Sequence, residues 1–170
     1  MLKNSQFLQK QAVQLRLLNE LSTKLQSLLE SENFYQEVIN IIQSRFNYYC
    51  IHIWSVGTDR SYTLRAQAGA YNNHIKIGHT VPCTNGIIGE VIRTKRPYLC
   101  NDVSSDPHYT DLSCPIETQS ELSTPIVKDN EVVSVLNIES DRKNAFDEDD
   151  VVTLEAVASH IAVSLTNRKL

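Results

Sequence analysis

The side chains best suited to redox or metal chemistry are four cysteines and five histidines: Cys50, Cys83, Cys100, Cys114, His52, His74, His79, His108 and His160. The closest two cysteines are 14 positions apart, which fits neither a C-x-x-C redox pair nor a zinc-binding pair. The histidines also lack the H-x-x-x-H spacing of helical zinc ligands. We therefore expect no metal site, and free thiols if the compartment is reducing.

Cys114 stands in a polar segment, so its thiol is the one most exposed to substrates and the only candidate for a catalytic residue. Cys50 and Cys100 sit among apolar strand residues and are interpreted as packing residues, whereas Cys83 could line the rim of a pocket. Glu121 follows the same polar segment, and an acid at the start of a strand is ordinarily solvated. The sequence contains no Ser-His-Asp set and no glycine loop for phosphates.

Composition excludes several classes of protein. The 170 residues are 41% hydrophobic and 21% charged, as in one soluble globular domain. A net charge of −4 provides no basic field, so nucleic acid is not expected as a partner. No apolar run approaches the roughly 20 residues that cross a bilayer. We expect a cytoplasmic protein without membrane insertion.

Helical periodicity dominates both ends of the chain. The first helix carries an apolar stripe of Leu8, Ala12, Leu15, Leu18, Leu21, Leu25 and Leu28. Its spacing between Leu18 and Leu28 fits a coiled-coil seam and a core-facing helix equally well. Ser31 is the predicted N-cap of a second helix. Asp147 is the predicted N-cap of the last helix, with Asp150 completing a capping box.

The middle of the chain alternates with the period of a β-strand. Strands are predicted near 49–56, 62–70, 74–81, 98–100, 121–127 and 131–139, with a short helix at 86–92. On the first strand Trp54 alternates with Ile53 and is predicted to lie in the core. Residues 101–119 form a polar segment too long for a simple connection, which favours a functional loop.

Six segments in order resemble the GAF domain family: NGIIGEV (85–91), RP (96–97), NDVSSDPHY (101–109), SELSTPI (120–126), VSVLNIES (133–140) and NAFDEDD (144–150). The resemblance implies an α+β fold with a central antiparallel sheet of five or six strands. It also implies amphipathic N- and C-terminal helices packed together on one face, and a ligand pocket roofed by the short helix and the long loop on the other face. In such a fold Trp54 is either a core residue or the aromatic floor of the pocket. Glu121 is then either solvated, or it holds the loop in place, or it contacts a cationic group of the ligand.

The resemblance offers three ligand chemistries to test against the residues. Bilin attachment needs a cysteine followed by histidine, but Pro115 follows Cys114, so neither bilin nor haem attachment is expected. Cyclic-nucleotide-binding members share residues matching Asn137, Phe146, Asp147 and Glu148, but Ile138 replaces their lysine. We keep a cyclic-nucleotide-binding domain as one alternative.

The third chemistry is the reduction of free methionine sulfoxide. Cys114 stands seven positions before Glu121, as does the catalytic cysteine of the GAF-type reductases. The partner cysteines of those enzymes correspond to Ile88 and to the region of Gly78, which leaves Cys83 unmatched. A reductase using Cys114 is therefore a second alternative.

We expect a non-enzymatic sensor module that binds a small organic ligand and relays a signal through dimeric terminal helices. Residues 1–30 are assigned to a signalling and dimerisation helix and residues 31–170 to the GAF domain. A homodimer is expected, and a fused or partner output domain fits such a module. The candidate pocket residues are Trp54, Ile88, Asp102, Tyr109, Cys114, Glu121, Ser123, Asn137 and Glu139.

Overall fold

A computed structural model describes residues 2–70, 74–110 and 117–168 of the chain. Its helices are α1 (Leu2–Ser27), α2 (Phe34–Phe46), α3 (Gly86–Thr94) and α4 (Glu148–Asn167). Its strands are β1 (Cys50–Val56), β2 (Ser61–Gly69), β3 (Thr80–Pro82), β4 (Tyr98–Cys100), β5 (Ser120–Lys128) and β6 (Glu131–Ser140). The six strands form one antiparallel sheet in the order β3-β2-β1-β6-β5-β4, which confirms the predicted α+β architecture with a central antiparallel sheet.

The main hydrophobic core lies between one face of the sheet and helices α1, α2 and α4. Ile51 and Ile53 of β1 and Leu122 and Ile126 of β5 face this core, because alternate residues of a strand share a face. A smaller core, which contains Val91 of α3, covers part of the opposite face. The terminal helices and α3 therefore lie on opposite sides of the sheet, as the family resemblance implied.

Helix α1 divides into two parts with different surroundings. Leu21 and Leu25 are buried in the main core, so the stripe between Leu18 and Leu28 faces the core of its own chain. In contrast, every side chain described between residues 4 and 13 is exposed. The coiled-coil interpretation of residues 18–28 is thus replaced by the core-facing one, and the exposed part of α1 lies nearer its N-terminus.

Two predicted element boundaries were wrong. Ser31 does not cap α2, which begins at Phe34 after Asn33; instead the Ser31 hydroxyl donates to Glu37 Oε1 at 2.9 Å. The extended piece predicted for 74–81 is a strand only at Thr80–Pro82. Turns at residues 74–78 precede it, and a left-handed Gly78 (φ 91°) lies among them. The turn at Gly78 lets the chain enter β3 at the edge of the sheet.

The predicted start of α4 is confirmed in detail. The Asp147 carboxylate accepts from the backbone N–H of Asp150 at 3.0 Å, and the Asp150 carboxylate accepts from that of Asp147 at 2.8 Å. This reciprocal capping box satisfies two backbone donors that a helix start otherwise leaves open. Among the described residues, no helix is long and apolar enough to span a bilayer.

Candidate functional site

The candidate site lies on the sheet face opposite the terminal helices. Cys50, His52 and Trp54 project from β1 toward this face, in alternation with Ile51 and Ile53 on the other. The strand register places His52 opposite Asn137 and Cys50 opposite Glu139 of β6. It also places Glu121 of β5 opposite Glu139. Three adjacent strands therefore bring their polar side chains to one patch at the centre of the sheet.

A continuous hydrogen-bond network joins four of the side chains on this face: His52, Asn137, Ser123 and Glu121. The His52 Nδ1–H donates to Asn137 Oδ1 at 2.9 Å when the ring is protonated on that nitrogen. The Asn137 amide donates to Glu121 Oε1 at 2.7 Å and to Ser123 Oγ at 2.9 Å. The Ser123 hydroxyl in turn donates to Glu121 Oε1 at 3.0 Å. Asn137 is the hub of the network, since its amide uses both its acceptor and its donors.

Burial controls the electrostatics of this network. Glu121 is 4% exposed, and desolvation raises its pKa to about 7 despite hydrogen bonds from Ser123 and Asn137 that act in the opposite direction. Desolvation also lowers the pKa of His52 to about 4, against the opposing effect of its bond to Asn137. His52 is therefore a neutral imidazole near pH 7, and Glu121 changes charge there. The interpretation of Glu121 as a solvated strand-end acid was therefore wrong, because the side chain is buried.

A cavity of ≈ 50 Å³ lies above the network. One water needs roughly 10–15 Å³ on the same measure, so the cavity fits several waters or a small polar molecule. It is lined by His52, Trp54, Tyr62, Ile75, Val81, Gly86, Ile87, Ile88, Tyr109, Thr110, Glu121, Asn137 and Glu139. Ile87 and Ile88 of α3 form part of the roof, and residues 109–110 of the long loop form another part, as predicted.

Trp54 forms the aromatic part of the cavity wall. Its ring is 1% exposed and packs edge-to-face on Tyr62, with ring centroids 5.2 Å apart. Across the part of the chain that the structure describes, its buried indole N–H has no hydrogen-bond acceptor. A buried donor without a partner costs stability, which makes Trp54 a point at which a ligand acceptor would be favoured.

Close backbone contact holds the roof helix in place. A β-carbon added to Gly89 of α3 would lie 2.6 Å from the carbonyl oxygen of Cys83. The face of α3 at Gly89 therefore lies directly against the backbone at residues 83–84. Tyr62 contributes as well, because its hydroxyl donates to the carbonyl of Asn85, the residue before α3, at 3.1 Å.

The structure brings most of the predicted pocket residues together. Trp54, Ile88, Tyr109, Glu121, Asn137 and Glu139 line the cavity. Ser123 is fully buried within the network beneath it. Asp102 is a correction, because it caps the 3₁₀ turn Val103–Ser105 and pairs with Lys143 at 2.7 Å, and it does not line the cavity. Cys114 lies outside the described residues.

Sequence reasoning missed His52, Tyr62 and Cys50. His52 and Cys50 were available from the strand period, since they are two and four positions from Trp54 on the same strand. Tyr62 pairs with Val56 in the neighbouring strand, a contact that depends on the register of the hairpin. Cys83 lines a separate cleft beside α3. This cleft shares Gly86 and Thr110 with the cavity.

The antiparallel sheet with helices on both faces and the helix-roofed cavity define a small α+β domain with a pocket over the middle of its sheet. A profile of the GAF domain family matches residues 29–166, and the chain belongs to that family, which makes it a sensor or regulatory module in general. GAF domain-containing protein A of Dictyostelium discoideum is 23% identical over 138 residues, which cover 75% of this chain and 78% of that protein.

Two solved structures illustrate the range of the fold. The free methionine-R-sulfoxide reductase of Neisseria meningitidis, solved with its substrate, superposes with a TM-score of 0.80 and 18% identity, covering 92% of this chain and 90% of that one. The GAF domain of an Acinetobacter phosphoenolpyruvate-protein phosphotransferase also gives 0.80, with 17% identity and coverage of 91% and 93%. At these identities the similarities establish the fold alone.

Proposed function

We propose that the chain is a GAF sensor that binds a small polar organic molecule in the cavity over β1, β5 and β6. The observation that carries this proposal is the buried N–H of Trp54, for which the described residues offer no acceptor, in the same cavity as the Glu121 carboxyl group. A matching ligand has an acceptor for the indole N–H and a hydrogen-bond donor or positive charge for Glu121. With ≈ 50 Å³ available, that ligand has few heavy atoms unless the roof moves.

Strand β5 provides a path from the cavity to the terminal helices. Glu121 and Ser123 belong to the polar network on one of its faces, whereas Leu122 packs on the other face in the core that contains Leu154 of α4. A ligand that binds one arrangement of the strand more tightly than another shifts the population toward it. The output is then a displacement of α4 and of α1, which are linked by a hydrogen bond from Gln14 to Thr153.

The single tryptophan of the chain makes ligand binding measurable without a label. A thermal-shift screen of small amines, amino acids and other polar metabolites is expected to yield a compound that raises the melting temperature and changes the fluorescence of Trp54. A ligand at 100 times its Kd stabilises the folded state by about 2.7 kcal/mol. Trp54→Phe removes the indole N–H and is expected to weaken the binding of the same compound about tenfold, roughly the effect of one hydrogen bond.

The control for this screen is Tyr35→Phe, which removes a ring hydroxyl from α2 on the opposite side of the sheet. It is expected to leave the Kd unchanged. A compound that stabilises the protein equally in the wild type and in Glu121→Gln and Trp54→Phe would not bind in this cavity, and the proposal would then fail for that compound.

The exposed part of α1 supports a homodimer. Its side chains include Phe7 at 57% exposure and Leu8 and Leu15 at 61% and 62%. Leu8, Ala12 and Leu15 have the four-then-three spacing of a coiled-coil seam. A helical segment of about ten residues gains too little from its own hydrogen bonds to be stable alone in water, so pairing with a second copy accounts for it.

We therefore expect the chain to sediment as a dimer at tens of micromolar. Leu8→Glu places an unpaired carboxylate in the seam, and a penalty of a few kcal/mol raises the dimer Kd roughly 100-fold. Val127→Glu is the matched control, since Val127 is also exposed (38%) but lies on β5 away from α1. A wild-type monomer, or a dimer insensitive to Leu8→Glu, would contradict pairing through α1.

One observation favours a second function, the reduction of a sulfoxide. The fold superposes on a free methionine-R-sulfoxide reductase, and Cys114 has the spacing from Glu121 described above. The described thiols argue against it, because burial raises the pKa of Cys83 and raises that of Cys100 to about 12. Turnover of free methionine-R-sulfoxide with a thiol reductant, lost in Cys114→Ser, would establish the reductase; no turnover would leave the sensor.

The cyclic-nucleotide alternative retains Asn137, which lines the cavity, but two of its other matching residues have structural roles. Phe146 packs in the main core on the opposite side of the sheet, and Asp147 is occupied as the N-cap of α4. Both residues matched the family signature for structural reasons, so we do not propose a cyclic nucleotide as the ligand.

A further inference from the structure

Three side chains with strong metal-binding atoms converge at one end of the cavity. Cys50 and His52 are two positions apart on β1, so their side chains share a face. Glu139 of β6 is the register partner of Cys50. The Cys50 sulfur, a ring nitrogen of His52 and a carboxylate oxygen of Glu139 all lie within 4.8 Å of one another.

The distances match those of a tetrahedral metal site. Bond lengths of about 2.3 Å for Zn–S and 2.05 Å for Zn–N place the two donors about 3.6 Å apart at a tetrahedral angle. The observed distance from Cys50 Sγ to His52 Nε2 is 3.5 Å. The Glu139 carboxylate oxygen lies within 4.8 Å of both donors, so a movement of at most about 1 Å brings the third donor to the same separation.

The polar network already orients the histidine as a metal ligand requires. Ligating histidines commonly donate their other ring N–H to an oxygen, which sets the tautomer and the ring plane. Here His52 Nδ1 bonds to Asn137 Oδ1, and Nε2 is turned toward the Cys50 sulfur. Asn137 is held in turn by Glu121 and Ser123, so the support continues across to β5.

We propose that Cys50, His52 and Glu139 bind one divalent cation of the zinc class. A sulfur, an imidazole and a carboxylate suit Zn²⁺ and disfavour Mg²⁺ and Ca²⁺, which prefer oxygen ligands. The thiol proton passes to solvent on binding, and a thiolate and a carboxylate together neutralise the charge of the ion. The prediction of no metal site was based on helical spacing and on pairs of cysteines. It did not take into account a Cys-x-His pair on a strand.

The fourth coordination position faces the cavity. His52 and Glu139 both line it, whereas the strands enclose the ion from below. Three protein ligands with one open position are typical of zinc sites that bind an exchangeable molecule rather than purely structural ones. The cation would therefore add a contact for an electron-pair donor at this end of the cavity.

The first test uses the metal alone, on the full chain stripped with a chelator and kept reduced. Zn²⁺ is expected to bind with a stoichiometry of one per chain and to raise the melting temperature. Co²⁺ is expected to produce a thiolate-to-metal charge-transfer band that reports directly on a cysteine ligand. No organic ligand is present, so the result is independent of the small-molecule and dimer proposals.

Variants then assign the ligands. Cys50→Ala is expected to abolish the cobalt–thiolate band. Glu139→Gln, at a half-buried position, is expected to weaken the affinity for Zn²⁺ by roughly 100-fold. The cooperative melting transition is expected to be retained in Glu139→Gln. Cys83→Ala, Cys114→Ala and Glu131→Gln are the matched controls and are expected to retain both band and affinity. Absence of one-to-one binding by the wild type, a band that survives Cys50→Ala, or a band lost in Cys83→Ala or Cys114→Ala would overturn the proposal.

Discussion

Glu121→Gln is expected to remove a loss of stability that the wild-type protein undergoes as the pH rises toward neutrality. The folded pKa of Glu121 is raised by burial to about 7, above the ordinary value of about 4.3 in the unfolded chain. Between these values the folded state holds the proton and the unfolded state has lost it, so stability falls with increasing pH. From about pH 4 to about pH 8 this group destabilises the wild type by roughly 3 kcal/mol.

The measurement is urea unfolding of both proteins across that pH range, in chelator so that no metal contributes. The glutamine keeps the shape of the side chain and can still accept from Ser123 and Asn137, so the two curves are expected to coincide near pH 4. They are expected to diverge as the pH rises above about 5 and to remain apart above about pH 8. Glu131→Gln, on the exposed end of β6, is the control and should follow the wild type. Parallel curves for Glu121→Gln and wild type would show that the carboxyl is not desolvated as the structure indicates.

This behaviour bears on the proposed sensor. A ligand with a positive charge binds the ionised carboxylate better than the neutral acid, so its binding near pH 7 releases a proton from Glu121. A neutral ligand that donates a hydrogen bond to Glu121 also binds the ionised carboxylate better than the neutral acid, but the difference in affinity is smaller. The pH dependence of ligand affinity, lost in Glu121→Gln, therefore distinguishes a contact with Glu121 from binding elsewhere in the cavity.

Gly69→Ala is expected to cost roughly 3–5 kcal/mol of stability, the range reached when backbone strain and a steric clash combine. Gly69 ends β2 opposite Cys50 and has φ +92°, a conformation that disfavours any side chain. An added β-carbon would lie 2.3 Å from the carbonyl oxygen of Tyr49, which itself accepts from the N–H of Ala70. Strands β1 and β2 would have to separate near Cys50.

Gly78→Ala separates the two causes. Gly78 has nearly the same φ, +91°, but a β-carbon there meets nothing within 4 Å, so only backbone strain of about 1–2 kcal/mol is expected. Thermal and urea unfolding of both variants measure the difference. Equal losses of stability at the two positions would mean that strand β1 moves away from the added β-carbon at little cost. The close packing at Gly69 would then not contribute to stability.

The predictions that succeeded depended on local chemistry. The period of two in β1 and the capping box at Asp147 are each contained in a few consecutive residues, and the structure confirms both. Ser31 failed as a cap because Asn33 lies closer to the first helical residue, and a polar side chain two positions away has another partner in Glu37. Asp102 failed as a pocket residue for a similar reason, since Ser104 and Lys143 satisfy its carboxylate.

The amino-acid sequence by itself determined which faces of its helices are apolar and where its long loop lies, because periodicity and capping act over one or two turns of chain. Its six ordered segments carried the resemblance to the GAF family, which the family profile confirms. Only the tertiary structure decided what the pocket contains. His52 and Asn137 are 85 positions apart, and their contact depends on the antiparallel register of β1 with β6. The burial that changes the charge of Glu121, and the convergence of Cys50, His52 and Glu139, arise from that same register and from the roof that closes over it.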